Sequence, residues 1–187
     1  MVQLILSSQS PRRHTLLSQL GYHFETHVPD ISEHLDPLDL EPSLLALARL
    51  KALDARKKFS SGLSIGCDTV VLIDGQVLGK PRDAKAARAM LRQLSGRTHQ
   101  VKSALALVKL DNGQSKSDLE TTDVTFRTLS DKDIETYIVG PEPYDKAGAY
   151  AAQGQGTVFI ACVSGCLNNV IGFPVALFLR LLSQFKD

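Results

Sequence analysis

The sequence predicts an α/β protein built on a mixed β-sheet, and two observations predict it. Short apolar runs that read as strands alternate with amphipathic stretches that read as helices. Two tight-turn signals, Asp74-Gly75 and Asp111-Asn112-Gly113, also fold neighbouring strands back on themselves. Alternation alone would give a parallel sheet; hairpins add antiparallel pairs, so the sheet is expected to be mixed. With 187 residues, 43% of them apolar, the chain can bury a proper core. One domain spanning 1–187 is expected, with room for two lobes.

In chain order, residues 2–6 read as a buried strand. Ser10 is a natural N-cap and Pro11 sits where a helix begins; that helix runs through Leu16, Leu17 and Leu20 and stops at Gly21. Residues 24–28 make a short strand, and 29–42 form an acidic loop with Asp30, Glu33, Asp36, Asp39 and Glu41. A helix is expected over 42–59. Leu44, Leu47, Ala48 and Ala55 share one face, and Lys51 falls on that same apolar face. Such a lysine either snorkels to the edge or meets a buried anion.

Residues 63–68 read as an inner strand that continues extended through 70–73 and returns over 76–78. Asp83 caps a helix through Ala87, Met90, Leu91 and Leu94, stopped at Gly96. Residues 98–110 and 119–127 form a long hairpin. Ser130 with Asp133 makes a capping box for a helix through Ile134, Tyr137 and Ile138, ended by Gly140. Another strand is expected over 158–163, and a closing helix over 174–185.

Composition excludes several classes. The 21 basic and 20 acidic residues leave a formal charge of +1, which argues against a general nucleic-acid or membrane-surface binder. No window resembles a signal peptide or a membrane span, so the expected compartment is the cytoplasm. Three cysteines, Cys67, Cys162 and Cys166, with no Cys-x-x-Cys pair, do not make a disulfide framework or a zinc knuckle. The stretch 75–80 is not a Walker loop, because Pro81 follows the lysine.

Four stretches break the pattern of apolar core and polar surface: Ser10-Pro11-Arg12-Arg13, Cys67-Asp68-Thr69-Val70, Gly79-Lys80-Pro81, and residues 145–154. Each places a charge or amide at a strand end or in a glycine-flanked turn. Around Arg13 and Ser8, hydroxyls and a forked cation meet the unpaired N–H groups of a helix start. A phosphate cradle and a solvated first turn fit that stretch equally well. Asp68 lies within an apolar strand, where a lone carboxylate is costly to bury. It either caps a turn and pairs with Lys80, or belongs to a site with a cation or metal.

Taken together, and in this order, the four motifs resemble the Maf family of nucleoside triphosphate pyrophosphatases. Leu94-Ser95-Gly96 with His99, and the run from Asn169 to Pro174, are similar to further family marks. The resemblance spans residues 6–174. Cys67, in place of a small residue, and Phe173, in place of leucine, depart from the family pattern, as does the stretch 164–168. The resemblance implies an inosine-triphosphatase-like fold: an elongated, twisted mixed sheet with flanking helices and a cleft between two lobes. It implies hydrolysis between the α- and β-phosphates with a divalent metal, magnesium or manganese.

By the same resemblance, Asp68 is the proton acceptor, and Glu33 and Asp68 are the metal ligands. Ser8, Arg13, Lys51, Lys80 and Lys146 are the phosphate ligands. The implied partner is a nucleoside triphosphate, with no stable nucleic-acid or membrane partner; a homodimer stays open. Arg12, Thr69 and Gln153 match the subgroup resembling dTTP and UTP pyrophosphatases. A sister subgroup, resembling 7-methyl-GTP pyrophosphatases, carries tryptophan, glutamine and glutamate there. The chemistry agrees: Gln153 offers a donor and an acceptor to the carbonyl–NH–carbonyl edge of uracil, whereas a cationic 7-methylguanine suits an aromatic face and a carboxylate. A nucleotide-binding regulator of septum formation is the alternative outside catalysis.

Overall fold

The computed structural model describes residues 2–185; residues 1, 186 and 187 of the expected domain span lie outside them. The strand β1 (Leu4–Ser7) leads into the helix α1 (Pro11–Gln19), with Ser10 at the N-cap and Pro11 in the first turn. Next come β2 (Phe24–His27), α2 (Leu40–Asp54) and β3 (Leu63–Ile73). The strand β4 (Gln76–Leu78) returns from β3 through a turn in which Asp74 and Gly75 both have positive φ, as a two-residue hairpin requires. The helix α3 (Ala84–Leu94) follows, and Asp83 accepts from the Ala86 N–H at 2.7 Å. The long strands β5 (Thr98–Lys109) and β6 (Ser115–Phe126) precede α4 (Asp131–Ile138), which opens with the expected capping box of Ser130 and Asp133. The chain closes with β7 (Ile160–Ser164), α5 (Leu167–Ile171) and α6 (Val175–Ser183).

Several boundaries differ from expectation for physical reasons. The helix α2 starts two residues before Pro42, which is accommodated in its first turn, and it ends at Asp54 with a 3-10 turn over Ala55–Lys57. The strand expected over 158–163 starts at Ile160, because Val158 and Phe159 belong to a 3-10 segment, Gln155–Phe159. An apolar run does not by itself distinguish a strand from a 3-10 turn, and here Phe159 is buried while Val158 is exposed. The strand β6 starts at Ser115, since the Lys109 N–H bonds Gln114 O at 2.9 Å and closes the hairpin there. The short helix α5 and the 3-10 turns over Glu142–Asp145 and Ala147–Ala149 were not anticipated.

The seven strands form one mixed sheet in the order β2-β1-β3-β5-β6-β7, with β4 paired to β3. The strand β1 runs parallel to both β2 and β3, while β3/β4 and β6/β7 are antiparallel.

The chain divides into two compact units. The first comprises the chain up to Asp68, Ser103–Glu120, and the chain from Gly172 on. Its core gathers Leu6, Leu17, Ile65, Leu107, Phe173 and Phe178, with Ile5, Ala55 and Leu110 in a smaller cluster. The second unit comprises Thr69–Lys102 and Thr121–Ile171. Its core includes Val71, Leu91, Val124, Phe126, Tyr137 and Phe159. Each fully buried leucine in these cores contributes roughly 2 kcal/mol of transfer free energy, before entropy is counted.

Candidate active site

In the first unit, the β1–β3 register pairs Ser7 with Gly66. Ser8 therefore follows the carboxyl end of β1, and Cys67-Asp68 lie on β3 just past the point where its parallel pairing with β1 ends. The carboxyl ends of parallel strands are where open α/β sheets bind ligands. Gly66 has a packing role. A Cβ there would lie 2.6 Å from Ala52 N and closer still to Ala48 O, so α2 can lie against β3 only because residue 66 has no side chain. That approach brings Lys51 of α2 to Asp68 of β3.

Lys51 is buried. Its Nζ lies 2.5 Å from Asp68 Oδ1 and 2.7 Å from Glu33 Oε1. The Asp68 side chain is 15% exposed and that of Glu33 is 61% exposed. A lysine on the apolar face of α2 thus meets anions rather than snorkelling to the edge. Lys51 is a cation that Asp68 pairs with inside the first unit. One ammonium holds two carboxylates, one on a strand and one on the acidic loop.

Arg13, on the first turn of α1, is also buried. Its Nη1 donates to Cys67 O at 2.6 Å and to Ser8 Oγ at 3.2 Å, and its Nε donates to Gly172 O at 2.9 Å. Ser8 Oγ also accepts from the Ser10 N–H at 3.1 Å. Arg13 therefore ties down the backbone of the residue before Asp68. Arg12 is half-buried, with its Nε 3.9 Å from where a Cβ on Gly172 would sit.

The acidic loop that carries Glu33 is anchored by residues the sequence did not single out. Asp54, one turn beyond Lys51 on α2, accepts from the Asp30 N–H at 3.0 Å and pairs with His27 Nε2 at 2.8 Å and Lys57 Nζ at 2.6 Å. Burial works to raise the Asp54 carboxyl pKa, but the bonds from Lys57, Asp30 and His27 outweigh it and bring it down to about 2. In the sequence Asp54 looks like an ordinary polar residue near a helix end, and nothing local marks it.

In the second unit, Thr69 follows Asp68 on β3 and is half-buried. Lys80 is exposed beside Gly79, whose carbonyl accepts from the Gly148 N–H at 3.1 Å. This joins the Gly79-Lys80-Pro81 motif to the stretch that carries Lys146. Gly148 has φ 70°, and a Cβ on it would meet the Val71 side chain at 3.0–3.2 Å, so the stretch packs tightly on β3. Lys146 Nζ donates to Glu142 O at 3.1 Å and pairs with Asp145 at 2.5 Å. Gln153 is exposed at the tip of a turn between buried Ala151 and buried Gly156.

Among the described residues, all three cysteines are free thiols: Cys67 buried, Cys162 exposed and Cys166 half-buried. No group of three His, Cys, Asp or Glu side chains converges as a metal cage among them. No helix among the described residues is long and apolar enough to cross a membrane.

A mixed sheet with a buried lysine, a buried arginine, a hydroxyl and two carboxylates gathered where the parallel pairing of β1 and β3 ends has the make-up of a phosphate-handling α/β enzyme. The chain belongs to the Maf-like protein family, whose model matches residues 3–185. Three similar curated proteins are each named dTTP/UTP pyrophosphatase. The Escherichia coli K12 protein is 46% identical over 188 residues, covering all of this chain and 94% of the relative. The Carboxydothermus hydrogenoformans protein is 42% identical over 184 residues, covering 98% of this chain and 99% of the relative. That of Ruminiclostridium cellulolyticum is 40% identical over 189 residues, covering all of this chain and 98% of the relative.

Proposed function

We propose that this protein is a nucleoside triphosphate pyrophosphatase that hydrolyses dTTP and UTP to the monophosphate and pyrophosphate. The observation that carries the reading is the Lys51 ammonium held between Asp68 and Glu33, in a chain that matches relatives of that name over 94–99% of their length.

The roles follow from the chemistry of each group. A water attacks the α-phosphorus and gives its proton to the Asp68 carboxylate; the bond from the α-phosphorus to the bridging oxygen breaks, and pyrophosphate leaves. Lys51, Lys80 and Lys146 are the cations for a chain of phosphates that carries about four negative charges. Ser8 donates a hydrogen bond to the same phosphates, and Arg13 adds its charge beside them while its Nη1 and Nε hold Cys67 O and Gly172 O. Arg12, Thr69 and Gln153 select the base, Gln153 by pairing with the carbonyl–NH–carbonyl edge of uracil or thymine.

The donor set fits a divalent cation. Magnesium and manganese take one or two protein carboxylates and fill their remaining positions with phosphate oxygens and water. Glu33 and Asp68 are the two carboxylates that would hold it, and the ion would neutralise part of the phosphate charge. Three free thiols and a near-neutral charge suit a cytoplasmic enzyme of small nucleotides.

The test is pyrophosphate release from dTTP, UTP and 7-methyl-GTP with magnesium or manganese, compared by kcat/KM. dTTP and UTP are expected to lead. A clear preference for 7-methyl-GTP overturns the substrate assignment, and no release from any triphosphate overturns the activity. In the same assay Asp68→Asn, which keeps the shape and loses the charge, is expected to lower kcat by at least roughly a hundredfold. A folded Asp68→Asn protein with ordinary turnover would remove Asp68 from the chemistry.

A further inference from the structure

Glu142 lies in a 3-10 turn after Pro141 and has no part in the roles assigned above. It nevertheless organises the turn that ends in Gln153. Glu142 Oε1 accepts from the Gly156 N–H at 2.9 Å and from the Tyr137 hydroxyl at 2.9 Å, and Oε2 accepts from the Gln155 N–H at 3.1 Å. The Tyr137 oxygen in turn accepts from the Ala151 N–H at 3.3 Å. One carboxylate and one phenol thus hold both feet of the 151–156 turn, with Gln153 at its exposed tip.

The turn is built around this clamp. Gly154 has φ 100°, and a Cβ there would run into the Glu142 carboxylate, with Cδ at 3.1 Å. A Cβ on Gly156 would lie 2.8 Å from the Tyr137 hydroxyl and 2.7 Å from Ala151 O. Both glycines are therefore required for the backbone to close onto Glu142 and Tyr137. Burial works to raise the Glu142 carboxyl pKa, but the bonds from Gly156, Gln155 and Tyr137 outweigh it and hold it below its usual value.

We propose that Glu142 is a positioning residue for base selection, fixing through its carboxylate and Tyr137 the turn that presents Gln153. The inference rests on the reading of Gln153 given above. An amide tells one base edge from another only if its donor and acceptor are held in place, because a freely turning amide can satisfy either edge. The clamp uses the Glu142 side chain, whereas Lys146 is held by the Glu142 backbone carbonyl. A change confined to the side chain should therefore alter base selection and spare phosphate handling.

The experiment compares kcat/KM for UTP and CTP, which differ in the edge the base offers, in the wild type, Glu142→Gln, Gln153→Ala and the double variant. Glu142→Gln keeps the shape but turns an amide N–H₂ toward a donor. The preference for UTP over CTP is expected to fall by roughly tenfold, the factor one misplaced hydrogen bond supplies, with kcat on UTP little changed. In the Gln153→Ala background the same substitution is expected to change the preference no further. Tyr137→Phe, a milder change that removes one donor, should shift selectivity in the same direction and serves if Glu142→Gln does not fold. A lower melting temperature with unchanged selectivity, or a further loss of selectivity on top of Gln153→Ala, overturns the inference. A wild type that cleaves neither nucleotide overturns the functional reading, and the inference with it.

Discussion

Lys51 Nζ lies 2.5 Å from Asp68 Oδ1, on side chains only 8% and 15% exposed. Seventeen positions apart in sequence, the two meet because α2 lies directly on β3 at Gly66. Burying such a pair costs the desolvation of both ions, which offsets much of their attraction, but removing one member leaves a costly lone charge. The lysine also reaches Glu33, so it sets the distance between the two carboxylates that the proposed reaction uses.

Lys51→Met keeps the aliphatic stem packed in α2 and removes the ammonium. The expected outcome is a fall in kcat/KM for dTTP of at least roughly a hundredfold, comparable with loss of one oriented donor in a water-poor site. A melting curve taken alongside separates this from unfolding. Kinetics indistinguishable from wild type in the folded variant would mean that the lysine is structural.

Gly66→Ala tests the packing that delivers Lys51 to Asp68. The added methyl would press on Ala48 O and Ala52 N, both backbone atoms that cannot rotate away. We expect a loss of about 1–3 kcal/mol of stability, as for overpacking in a close-packed core. We also expect a fall in kcat at temperatures where the variant is folded, because α2 can yield only by carrying Lys51 with it. Gly79→Ala is the control for stability, since a Cβ there meets nothing within 4 Å. Equal melting temperatures for the two variants would contradict the account.

Much of this was legible in the sequence because it is local. The Ser130–Asp133 capping box, the Asp83 cap, the Asp74-Gly75 hairpin and the apolar-face position of Lys51 each follow from residues within a few positions of one another. What escaped depends on distant contacts. Sequence proximity offered Lys80 as one partner for Asp68, and nothing local pointed to Lys51, which the packing of α2 on β3 supplies. Asp54 and Glu142 read as unremarkable acids, because what distinguishes them is the backbone N–H groups they accept from, 24 and 13–14 positions away. Much of the stretch 142–159 folds into three short 3-10 turns, which have no strong periodic signature, and its apolar end at Val158 and Phe159 mimics a strand.

His99 gives the chain a stability that depends on pH. It is buried, bonds the Tyr150 hydroxyl through Nε2 at 2.8 Å, and sits edge-on to Phe126 and Tyr150. Its Nδ1 is buried with no hydrogen-bond partner among the described residues. Burial disfavours the imidazolium and pushes the pKa down from 6.5 to about 4. The unfolded chain therefore binds this proton at a higher pH than the folded one. The contribution of His99 is fully present above pH 6.5 and is lost as the pH falls from 6.5 towards 4, by at most about 3 kcal/mol. His99→Gln can keep a hydrogen bond to Tyr150 but cannot titrate. Urea midpoints measured between pH 7 and pH 4.5 should fall less steeply for His99→Gln than for the wild type. Parallel slopes would show that His99 takes up no proton on unfolding in this range.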